Sequence, residues 1–94
     1  MEERKNRVIV TVLGKDQIGI IAWVSNRLAG FNVNILDISQ TILQDFFTMI
    51  MIVDLNPAQI DAGDLTKTLA EEGRQRGLQV NVQHEDVFAY MHRI

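Results

Sequence analysis

NILDISQTILQDFFTMIMIVDL, residues 34–55, carries two strand signals in immediate succession, and they set the topology. From Asn34 to Leu43 the residues alternate, with Leu36, Ile38 and Ile42 on one face and Asp37, Ser39 and Thr41 on the other. That is the pattern of a strand with one solvated or ligand-facing side. Gln44-Asp45 is the turn that sends the chain back. From Phe46 to Leu55 both faces are apolar, Phe47, Met49, Met51 and Val53 on one and Phe46, Ile50 and Ile52 on the other. Asn56-Pro57 then breaks the run.

Upstream, Val8 to Leu13 is a β-branched run, apolar on both sides, which suits a central strand. Gly14 to Gly19 follows as a turn-rich loop. From Ile20 the period becomes helical, with Ile20, Val24, Leu28 and Phe31 on one stripe and Gly30 as the stop. Downstream, Asp61 with Asp64 three residues on reads as a cap and a first-turn acid. A helix bearing Leu65 and Leu69 then runs to about Arg76, and Gly77 ends it. Leu78, Val80 and Val82 alternate with Gln79, Asn81 and Gln83, a half-exposed edge strand. Val87, Phe88, Met91 and Ile94 have helical spacing.

The order is β-α-β-β-α-β, an α+β ferredoxin-like sandwich: an antiparallel four-stranded sheet, first and third strands central, with two helices on one face. It is read as a single domain over 1–94, with a core of about 7–84 and a short C-terminal helix over about 85–94. The two-sided central strands leave apolar groups on the uncovered sheet face. A second copy in a homodimer or higher oligomer would cover them, and the C-terminal helix is the competing cover.

The whole chain has 94 residues, 47% hydrophobic and 22% charged, with one proline and six glycines, the composition of an ordinary globular chain. A chain of this length buries roughly 65% of its unfolded surface, which supports a modest core. Twelve acidic residues against nine basic ones give a net charge of -3, which argues against a nucleic-acid partner. Lys67, Arg74 and Arg76 form no more than a solvated face. With zero cysteines there are no disulfides, thiolate metal sites or cysteine nucleophiles. No apolar run approaches the ~20 residues needed to span a bilayer, so no membrane partner is expected and the cytoplasm is the expected compartment.

Chemistry concentrates at the first strand-to-helix junction, Leu13 to Ala22. Backbone N–H groups at a helix start, approached past glycines, suit a carboxylate or another small anion. The competing account is structural: Gly14 serves a turn, Gly19 permits packing and Asp16 caps the helix. The G-x-G-x-x-G spacing of a dinucleotide site is missing. His84 continues the inward register of Leu78, Val80 and Val82 before the tail helix, and His92 lies on a surface beside Arg93, so neither a metal nor any cofactor is expected. Ser25 and Ser39 lack a neighbouring base, so no enzyme is expected. Met49 and Met51 read as core filling. Trp23, off the main stripe, is either a dimer contact or partly buried in the monomer.

Gly14-Lys15-Asp16-x-x-Gly19-Ile20-Ile21-Ala22, the run Gly30 to Thr41 with its Asp-Ile-Ser-Gln-Thr core, and Phe46 to Val53 together resemble the ACT-domain family, most closely the small stand-alone members related to glycine-cleavage regulators. The similarity covers nearly the whole chain. It implies a regulatory module that binds an unidentified amino acid or similar metabolite between the first loop of one subunit and the second strand of its neighbour, acting through assembly or a separate regulated protein. The implied ligand residues are Gly14, Asp16, Gln17, Ile18, Gly19, Ile20, Asn34 and Ile35. Asp16 would meet the amino group, Gly19 and Ile20 would offer backbone to the carboxylate, and Asn34 would reach across the interface. Family loops commonly place proline where Ile18 stands, so this loop is less preorganised. The rival expectation is a constitutive oligomerisation or adaptor protein with no metabolite ligand.

Overall fold

Residues 6–56, 58 and 60–86 are described by a computed structural model. Six elements follow the expected order: β1 (Arg7–Lys15), α1 (Ile20–Gly30), β2 (Asn34–Leu43), β3 (Phe46–Asp54), α2 (Ala62–Gln75) and β4 (Leu78–His84). All strand pairs are antiparallel and the sheet order is β2-β3-β1-β4, so the strands that are apolar on both sides occupy the centre. Both helices pack on one face, where Val8, Val10 and Val12 of β1 and Met49, Met51 and Val53 of β3 meet Leu28, Leu65 and Leu69. Met49 and Met51 are completely buried and belong to this core. The C-terminal helix expected over about 85–94 falls almost wholly outside the described residues.

Three details differ from the sequence reading, each for a physical reason. Gly14 and Lys15 extend β1 instead of opening the loop, because Gly14 pairs with both Phe47 and Leu78 across the sheet. In β2, Ile38 and Ile42 lie on the helix side opposite Met51 and Phe47, while Asp37, Ser39 and Thr41 face the open side. Leu36 leaves the expected row, because the register shifts between Ile35 and Asp37 and makes it the extra residue of a bulge. Helix α1 is stopped by Asn32, at φ 62°, and not by Gly30. The Asn32 and Val33 N–H groups donate to Ala29 and Leu28 carbonyls, a Schellman arrangement with asparagine in the left-handed position.

For Trp23 the structure selects burial in the monomer from the two alternatives. The residue is 7% exposed and sits in the monomer core, since its spacing of three from Ile20 and one from Val24 places it beside the apolar stripe. Its indole N–H donates to Glu72 Oε1 at 2.9 Å, joining α1 to α2. The dimer-contact alternative is thereby set aside.

The expected cap of α2 is present: Asp61 accepts from the Asp64 N–H at 2.8 Å, and Asp64 places a negative charge in the first turn. Asp61→Ala should cost about 1 kcal/mol in urea denaturation, and Asp61→Asn much less, because asparagine also accepts the bond. Equal losses in the two variants would show that charge at the helix start, not the cap bond, is what counts.

Candidate functional site

Nothing polar closes the start of α1. Gly19 occupies the N-cap position at φ 91°, with no side-chain hydrogen bond to the helix start, and the first turn carries no acid. The first helical bond runs from the Trp23 N–H to the Gly19 carbonyl, so the amides of Ile20, Ile21 and Ala22 precede it. Gly19 is required by its left-handed backbone and not by crowding, since a Cβ there would meet nothing within 4 Å. The loop is anchored at both flanks. The Asp16 N–H donates to the Asp45 carbonyl at 2.7 Å, tying it to the β2–β3 turn. The Gln17 side-chain amide donates to the Arg76 carbonyl at 3.0 Å, tying it to the end of α2.

These ties hold open a shallow hollow of about 350 Å³ between the start of α1 and the helix-side face of β2. Asp16, Gln17 and Gly19 form its rim, Ile20, Ile21 and Ala22 its helix wall, and Gln40, Ile42 and Phe47 its sheet wall. A carboxylate, helix-terminal amides pointing outward and an apolar floor share one small space. The helix start favours an anionic group, Asp16 favours a cationic one, and Ile42 and Phe47 accept an apolar body.

Of the residues expected from the sequence, Asp16, Gln17, Gly19 and Ile20 come together here. Ile18 projects fully into solvent from the same loop. Gly14 lies inside β1, where a Cβ would stand 2.6 Å from Leu78 Cδ2. Asn34 lines a second hollow with Ala29, Asn32 and Val33, at the opposite end of α1, and Ile35 packs half-buried against the core. An eleven-residue helix is roughly 16 Å long, so a single chain does not bring Asp16 and Asn34 to one ligand. Gln40, Ile42 and Phe47 were not expected at the site. The alternation of β2 places Gln40 and Ile42 on one face, but which helix end they meet is not a local property.

Among the described residues, no group of three or more His, Cys, Asp or Glu is arranged for a metal, and no helix is long and apolar enough to cross a membrane. His84 continues the helix-side register of β4 opposite Val8, and its Nδ1 accepts from the Asp86 N–H at 3.2 Å.

The ferredoxin-like sandwich is the fold of the ACT domains, a class of small domains that are typically regulatory and ligand-binding. The chain belongs to the ACT-domain family, whose match runs over residues 6–83. A UPF0237 protein of Methanocaldococcus jannaschii is 54% identical over 89 residues, covering 95% of this chain and 99% of that protein. Among solved structures, an ACT domain protein from Streptococcus pneumoniae is 35% identical with a TM-score of 0.78, covering 90% of this chain and 96% of that one. A putative glycine cleavage system transcriptional repressor shares the fold, with a TM-score of 0.75 at 23% identity over 87% of this chain and 47% of that one.

Proposed function

We propose that this chain acts, as one unit over residues 1–94, as a cytoplasmic regulatory module that binds an amino acid or similar small zwitterion at a subunit interface. It reports occupancy through assembly or a separate regulated protein, with no chemical step of its own. The observation that carries this reading is the hollow between the uncapped start of α1 and the helix-side face of β2. The amides of Ile20 and Ile21 suit the ligand's carboxylate, Asp16 its ammonium, and Ile42 and Phe47 its side chain. Gly19 keeps the approach to the amides unobstructed. Asn34, distant in one chain, joins the site from a second copy. Regulation follows if the ligand binds one arrangement of subunits better than another, since equal affinities shift nothing.

The test is a thermal-shift series with each common amino acid at about 10 mM. A ligand with a dissociation constant on the order of 0.1 mM adds ~2.7 kcal/mol and raises the midpoint by roughly 10 °C or more. Asp16→Ala combined with Asn34→Ala should remove the shift while leaving the ligand-free midpoint nearly unchanged, because both side chains are exposed. A flat response across the panel would sink the metabolite reading and leave the adaptor role.

A further inference from the structure

We infer that residues 87–94 lie as an apolar strap across the near half of the open sheet face, over Ile9 and Ile52, and close that half to a partner. The face opposite the helices is unevenly buried. On it Ile9 is 5% exposed, against 39% for Leu13 at the other end of β1, and along β3 exposure rises from half-buried Ile52 through Ile50 at 37% to Phe46 at 66%. β4 repeats the gradient, with Gln83 half-buried and Gln79 and Asn81 exposed. Ile9 is paired with Ile52 on one side and Gln83 on the other, so the shielded residues form one row across three strands. Yet Ile9 takes no part in the helix-side core. These are the exposures of one chain by itself, so what shields the row belongs to that chain.

The row lies at the end of the sheet where β4 releases the chain. Arg7, on the same side of β1 as Ile9, forms an ion pair with Glu85, which draws the backbone toward the open face as soon as β4 ends. The Arg7 Nε is closed to solvent there. A helix begins at this point: Glu85 and Asp86 are helical, His84 Nδ1 accepts the Asp86 N–H in the manner of a cap, and the two acids fall in the first turn. Beyond them, Val87, Phe88, Met91 and Ile94 have the spacing of one apolar helical stripe. The other segments near this end are poorer candidates. Ala58 and Ile60 pack against the helix-side core, and residues 1–5 are Met-Glu-Glu-Arg-Lys, with little apolar surface to offer.

The dimensions agree. As a helix, residues 87–94 are roughly 12 Å long and about 10 Å wide. Four residues of strand span about 13 Å and three adjacent strands about 10 Å. The strap therefore reaches over β4, β1 and β3 at the Ile9 row and stops short of Leu13, Phe46 and the outer strand β2. On the open side of β2, Asp37, Ser39 and Thr41 are exposed. Any contact made through this face is left to its far half. The inference does not depend on the ligand reading, because the hollow lies on the helix side.

Nuclear Overhauser spectra of the full-length, methyl-labelled protein test the strap directly. Cross-peaks should join the methyl groups of Ile9 and Ile52 to the side chains of Phe88 and Met91, with none from Leu13. A sample mixing labelled and unlabelled chains decides whose segment is seen. Cross-peaks between the two kinds of chain would give the cover to a second copy and overturn the inference, as would absence of the cross-peaks from the uniformly labelled protein. Phe88→Ser combined with Met91→Ser, in the full chain, should keep the far-ultraviolet circular dichroism and raise the fluorescence of an apolar dye several-fold. The methyl signals of Ile9 and Ile52 should move while those of Leu65 and Leu69, on the helix side, stay in place. Unchanged dye fluorescence and unmoved Ile9 and Ile52 signals would likewise overturn the strap. If the doubly substituted chain does not fold, the cross-peaks of the unsubstituted protein still decide.

Discussion

Trp23→Ala should lower the unfolding midpoint by roughly 15 °C or more, the largest effect expected of any single change considered. Truncating a buried tryptophan costs about 3–5 kcal/mol, and a chain of this length has only about 5–14 kcal/mol in total at ~0.05–0.15 kcal/mol per residue. Each kcal/mol moves the midpoint of so small a domain by about 4–8 °C. The cost has three sources here. The ring fills the space above Gly73, where a Cβ would stand 3.4 Å from Trp23 Cη2. The indole N–H satisfies Glu72, whose other oxygen pairs with Arg27 Nη2 at 3.0 Å. The Arg76 guanidinium lies 4.9 Å above the ring. Trp23→Phe keeps most of the packing and loses the hydrogen bond, so it should fall in between. A drop below about 5 °C for the alanine variant would show that the ring contributes little to the folded monomer.

Gly14→Ala should cost about 1–3 kcal/mol although alanine is the smallest possible addition. The new Cβ would lie 2.6 Å from Leu78 Cδ2, 3.2 Å from the Gly77 carbonyl oxygen and 3.3 Å from Leu78 Cα. The leucine methyl can rotate away, but the two backbone contacts yield only if β4 shifts from β1. Chemical denaturation measures the loss, and the same variant separates two roles for this glycine. If its task is strand packing, the folded fraction keeps its amino-acid response at unchanged concentration. Unchanged stability with a lost response would instead make Gly14 a ligand contact.

Much of the architecture was readable from patterns spanning a few residues. The two apolar faces of Phe46–Leu55 placed β3 at the centre, the polar alternation of Gln79, Asn81 and Gln83 placed β4 at an edge, and Asp61 with Asp64 marked the start of α2. Such signals survive because local periodicity repeats the geometry of the element that bears it. Features set by distant partners were not readable. Gly14 resembles a turn glycine until Leu78, sixty-four positions away, is seen against it. Leu36 fits a period-two row until β3 imposes the bulge. Trp23 looks peripheral until Glu72 and Gly73 of α2 come beneath it.

The candidate site divides in the same way. The glycine-bearing junction and Asp16 stand out in the chain itself, because a helix start with a left-handed residue before it is a local arrangement. The opposite wall of Gln40, Ile42 and Phe47 emerges only when β2 is laid beside β3 and α1 is docked across both. Residue types and short-range spacing thus suffice for the elements, the sheet order and the half of the hollow built on consecutive residues. Which side chains oppose them, which glycine is crowded and which edge stays bare depend on contacts between residues far apart in the chain. Those contacts are chosen by the packing of the whole core, which no short window of sequence contains.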